Sequence, residues 1–154
     1  VMNQIGPQTL PNSITIKPRL ENIPQVQEFI KGILDKHEAS KELRKQMKLV
    51  VDESVTNAID HGAGNSGVGE IRVSCRITAD SFQLMVEDFH GKLFDPEYFR
   101  RIAMVRDWGK GGRGIMLIEG IMDHVSYVID EGRHTILFME KQFQKEQPLT
   151  LIKK

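Results

Sequence analysis

Cysteine is almost absent from this chain of 154 residues: there is one, Cys75. A lone cysteine cannot close an internal disulfide, which excludes a disulfide-stapled secreted scaffold and points to a reducing, cytoplasmic setting. Cys75 falls in an alternating strand pattern and reads as a small core residue rather than a nucleophile. An excess of charge of either sign is also lacking. Lys and Arg number 21, Asp and Glu number 21, and the formal net charge is zero. That excludes the basic surplus of a nucleic-acid binder, so no direct nucleic-acid partner is expected. No apolar run approaches the length of a membrane helix, and no signal peptide is read, so no membrane partner is expected either. The 5 histidines are scattered without zinc-ligand spacing. No serine sits in a nucleophile-elbow pattern.

What is present suits a soluble globular protein. The length fits one domain over 1–154, with a core at about 13–142 and loose termini, burying about two thirds of the surface of its unfolded chain. Residues 13–20 alternate and read as a short strand, and Pro18 argues for a sheet edge. Helical spacing of Ile23, Val26, Ile30, Ile33 and Leu34 predicts a helix over 23–35, with Asn22 as its cap and Pro24 in its first turn. Ser40 caps a long helix over about 41–60, which the glycine-rich stretch 62–69 ends. Residues 70–78 alternate, and Phe82, Leu84 and Val86 line a second strand after a turn at Ala79 and Asp80. A short helix over 96–105, a loop over 108–114 and a helix over 114–122 follow. The segments 125–130 and 135–140 close the pattern as a hairpin around Glu131 and Gly132. The fold class is α+β: a two-layer α/β sandwich, mainly antiparallel sheet with helices on one face.

The segment 49–62, LVVDESVTNAIDHG, is the most informative. Val50, Val51, Ser54, Val55, Ala58 and Ile59 form a face that can bury. Glu53, Asn57 and His61, four apart, form another row, placing a carboxylate, an amide and an imidazole side by side. Such a row is ordinarily a solvated face; a site holding a metal-bound phosphate gives it another use. Gly109, Gly111 and Gly114 match a dinucleotide fingerprint in spacing, but no parallel strand–helix unit precedes them, and no Ser or Thr follows the Gly-Lys pair as a phosphate loop requires. They read either as a flexible turn or as a helix start whose N–H groups face an anion. Asp88, at the end of an apolar strand, reads either as a turn aspartate or as the acceptor of an exocyclic amine, which would favour adenine over guanine.

Together these segments resemble the three ATP-site boxes of the histidine-kinase-like (GHKL, Bergerat fold) ATPases: Glu53 to His61, Asp88 to Pro96, and Gly112-Arg113-Gly114-Ile115 with Leu117 and Ile118. The small size and the wording DESVTNAIDHG resemble the anti-sigma factor serine kinases within that superfamily. The resemblance covers about 14–140. It implies that Asn57 ligates a Mg²⁺ bridging the phosphates of ATP, that Glu53 is the general base, and that Asp88 holds the adenine amine. Gly112 and Gly114, with the helix they start, bind phosphates, and His61, Gly91 and Arg113 belong to the same nucleotide-binding set. The stretch 95–111 is the lid. The implied partners are a sigma factor and a small anti-anti-sigma protein, phosphorylated on serine; a homodimer is implied too. The chain departs from the family in its middle box, where His90 stands at a glycine position and Gly91 comes one place late. Two other readings stay open: a non-catalytic regulatory binding module on the same fold, and the catalytic domain of a histidine kinase acting in trans.

Overall fold

A computed structural model describes residues 9–60, 69–89, 110–130 and 134–143. In chain order these form β1 (Asn12–Ile16), a 3-10 turn (Leu20–Asn22), α1 (Ile23–Lys36), α2 (Lys41–Ala58), β2 (Glu70–Ile77), β3 (Ser81–Phe89), α3 (Lys110–Ile121), β4 (His124–Asp130) and β5 (His134–Gln142). The strands make one sheet in the order β1-β2-β3-β5-β4, and every neighbouring pair is antiparallel. The α+β class and the element order match the sequence reading.

The helices lie on one face because the strands alternate. Ile71, Val73 and Cys75 on β2, Phe82, Leu84 and Val86 on β3, and Leu137 and Met139 on β5 share one core with Val26, Ile30, Met47, Val50, Val51 and Val55 of α1 and α2. Burial in that core pushes the Cys75 thiol up to about 12, so it stays a protonated, unreactive packing group. The opposite face carries a smaller cluster of Leu10, Met85 and Ile136. On that face the Arg72 guanidinium grips the buried Glu87 carboxylate through Nε and Nη2 at 3.1 and 3.0 Å.

Several boundaries differ from expectation. β1 stops at Ile16, and Pro18 lies beyond it, although the strand is at the edge as expected. Asn22 is at the N-cap of α1, but its side chain does not cap the helix; its Nδ2 donates to Lys17 O at 3.0 Å. A cap needs extended backbone at that residue, and Asn22, ending a 3-10 turn, has φ −92° and ψ −5°. Ser40 does have that backbone (φ −67°, ψ 160°), and its Oγ accepts from Leu43 N at 3.1 Å. Ser40→Ala is therefore expected to cost about 1 kcal/mol, read as a lower urea midpoint at an unchanged slope. α1 closes just before α2 starts, with Ala39 N donating to Leu34 O at 3.0 Å around Glu38 in the left-handed region at φ 53°.

The helix expected over 114–122 begins four residues earlier, at Lys110. Its glycines disfavour helix by about 1 kcal/mol each. Burial of Ile115, Ile118 and Met122 against the core outweighs that local preference. The helix expected over 96–105 lies outside the described residues.

Candidate functional site

α2 and α3 approach closely at Gly114. A Cβ built there would fall 2.5 Å from Oε1 of Glu53, and 3.2 and 3.5 Å from Nδ2 and Oδ1 of Asn57. No real Cβ sits at 2.5 Å, so any side chain at this position would push the Glu53 carboxyl from where it lies. The α2 sequence dictates which side chains arrive there. Val50, Val51, Val55 and Ile59 are fully buried, and anchoring that stripe to the sheet turns Glu53 and Asn57, one turn apart, toward α3. The acid-amide row and the last glycine segment, distant in sequence, thus meet at one point.

Glu53 is partly buried, and its carboxyl holds its proton more tightly than an ordinary glutamate does. Burial is the main cause, and the neighbouring Asp52 carboxylate adds to it. Asn57 is 9 % exposed. Among the described residues there is no group of three or more His, Cys, Asp or Glu able to hold a metal. A cation bound here would take Asn57 and the oxygens of its ligand rather than a cage of carboxylates.

Behind this crossing lies a cavity of about 30 Å³. α2 contributes Ser54, Asn57 and Ala58, and α3 contributes Ile115; the sheet contributes Val86, Asp88, Tyr127, Thr135 and Leu137. Asp88 is not a turn residue. It sits inside β3, 4 % exposed, directly opposite Thr135 of β5 in the strand register. Thr135 is 6 % exposed, and its Oγ1 is buried with no hydrogen-bond partner among the described residues. A small, mainly apolar cavity with a carboxylate and a spare hydroxyl in its lining suits a water or a single small polar group.

Thr135 and Tyr127 were not singled out from sequence. The available signal was a polar group in an otherwise apolar alternating row: Thr135 shares its strand face with Leu137 and Met139, and Tyr127 shares its face with Val125. Of the residues expected at the site, Glu53, Asn57, Asp88 and Gly114 are brought together. Gly112 and Arg113 lie in the first turn of α3, whose leading N–H groups have no partner within the helix. His61, His90 and Gly91 fall outside the described residues, as does the expected lid before Lys110.

An antiparallel sheet backed by helices, with an acid and an amide of one helix meeting the glycine start of another, defines a class of nucleotide-handling domain. The chain belongs to the histidine kinase-like ATPase domain family, whose model matches residues 16–141. Within it, the chain is 31 % identical over 126 residues to the serine-protein kinase RsbW of Listeria monocytogenes, covering 75 % of this chain and 80 % of that one. It is 28 % identical over 125 residues to the RsbW of Oceanobacillus iheyensis, covering 77 % of each. A chain of the SiaB-SiaC complex from Pseudomonas aeruginosa shares the fold at a TM-score of 0.59 and 9 % identity, covering 83 % of this chain and 87 % of that one.

Proposed function

We propose that this chain is an ATP-dependent protein serine kinase and anti-sigma factor, which phosphorylates a small anti-anti-sigma protein and holds a sigma factor when that protein is phosphorylated. The observation that carries the reading is the convergence of Glu53, Asn57 and Gly114. The likeness to serine-protein kinases and the fold shared with a chain of the SiaB-SiaC complex support it. Action in the cytoplasm as a homodimer belongs to the same proposal.

The residues fit a magnesium-bound ATP. The lack of a side chain at Gly114 lets the acid and the amide close on the start of α3, and the buried Thr135 hydroxyl has bonding capacity to offer. When bound, the nucleotide supplies the transferable phosphoryl group and the cation offsets its charge. The chain's own groups do the rest. Asn57 would hold the cation. Asp88 accepts from the exocyclic amine and so prefers adenine to guanine. The first N–H groups of α3, with Gly112, Arg113 and Gly114, face phosphate; His61 and Gly91 complete the set. Glu53 takes the proton that the acceptor serine loses as its oxygen gains the γ-phosphoryl group and ADP leaves, a task suited to a carboxylate whose proton affinity is already raised.

The test is incubation of the purified chain with Mg²⁺, γ-labelled ATP and an anti-anti-sigma protein. Phosphoserine on that protein is the expected result. Nucleotide binding or partner binding without transfer would instead establish the non-catalytic module. In the same assay, Asp88→Asn replaces an acceptor with a group that can present a donor to the amine. It is expected to weaken ATP about 10- to 150-fold, the equivalent of losing a hydrogen bond to a charged group, and to narrow the preference over GTP. Isothermal titration with both nucleotides reads both effects.

A further inference from the structure

We infer that Tyr127 is a specificity-determining residue that closes the deep end of the nucleotide site and restricts it to an unsubstituted purine amine. The inference rests on the ATP reading and adds a residue to it.

The strand register builds the site in layers. Asp88 of β3 lies opposite Thr135 of β5, and Thr135 lies opposite Ile129 of β4. Two residues further along the strands, on the same face, Val86 lies opposite Leu137, and Leu137 lies opposite Tyr127. The first layer carries the polar groups suited to an amine. The second is the apolar floor beneath it, about 7 Å deeper at the usual rise of two strand residues. Of the three floor residues only tyrosine is long enough to reach diagonally back between layers. Tyr127 lines the same cavity as Asp88 and Thr135, and its hydroxyl oxygen is wholly buried. What remains is about 30 Å³, room for a water and not for an alkyl or aryl group. Helix α3 adds Ile115, which is 1 % exposed, to the same lining. An amine directed at Asp88 therefore enters a cavity that Tyr127 helps to line.

A purine with a single N6 substituent tests this, because it keeps one N–H for Asp88 and differs only in the space it needs. Binding of ATP, N6-methyl-ATP and N6-benzyl-ATP to the wild-type chain, to Tyr127→Val and to Tyr127→Phe is measured by titration. The wild type is expected to weaken steeply along the series, by about 10-fold or more per step. Tyr127→Val is expected to narrow the ATP to N6-benzyl-ATP ratio at least ~10-fold, whereas Tyr127→Phe, which keeps the ring, retains the wild-type ratio. Wild-type protein that takes N6-benzyl-ATP as readily as ATP overturns the inference whether or not the valine variant folds. So does a valine variant that binds ATP with an unchanged ratio. Absence of ATP binding by the wild type removes the ATP reading itself, a result distinct from either.

Discussion

Gly114→Ala is expected to leave a folded protein that transfers phosphate about 100-fold more slowly, because a 1 Å displacement of a catalytic group is enough for a loss of that size. The added Cβ would lie 2.5 Å from Oε1 of Glu53, so one of the two must move. Oε1 is the tip of a flexible side chain, and rotating it away costs little. Alanine is also the better helix former by about 1 kcal/mol, which offsets the crowding. Stability and activity should therefore separate: a melting temperature within a few degrees of wild type, with single-turnover transfer to the acceptor protein nearly lost. Gly120, on the same helix, supplies the control. A Cβ there meets nothing within 4 Å. Gly120→Ala should keep wild-type transfer. Full activity in Gly114→Ala would show that the position of Glu53 does not matter, and the assigned chemistry would fall with it.

Periodicity carried most of the architecture into view. The alternation of Ile71, Val73 and Cys75 and the helical stripe from Val50 to Ile59 state which faces bury, and the order of elements follows from them. The acid-amide row on α2 was legible for the same reason: a carboxylate and an amide one turn apart beside a buried stripe are fixed in direction by that stripe. Contacts between elements were not legible. Nothing local in Gly114 says that it touches Glu53, because that contact depends on the angle at which α3 crosses α2. Local preference even pointed the wrong way at α3, where glycines suggested a loop and tertiary burial of Ile115 and Ile118 imposed a helix. Asp88 does stand at the end of its strand, as the apolar run before it indicates; only its pairing with Thr135 decides that it is a sheet residue rather than a turn one. Thr135 and Tyr127 were hidden for a related cause. Each is a single polar group in a strand, and only the register shows that both line one cavity.

The pH dependence of transfer should carry the signature of Glu53. As the base it must be ionised, so kcat/KM falls as pH drops through its pKa. Burial, and then the nearby Asp52 carboxylate, raise that pKa above the ordinary value of 4.5. The acid limb of the profile should accordingly lie at higher pH than an exposed glutamate would give. Glu53→Gln keeps the shape of the side chain and cannot accept the proton; it is expected to lower kcat about 10²- to 10⁴-fold and to abolish that limb. The same shift makes an opposite prediction for stability. Between the unfolded and the raised folded pKa, the native state binds more protons than the unfolded state, so the wild type loses stability as pH rises through that window. Glutamine has no such titration. Glu53→Gln should therefore gain in melting temperature relative to wild type as pH rises from 4 toward 7, while its transfer rate stays low throughout. A rate profile whose acid limb survives the glutamine substitution would assign the proton to another group, and a glutamine variant no more stable at neutral pH than at acid pH, relative to wild type, would show that burial does not strain this carboxylate.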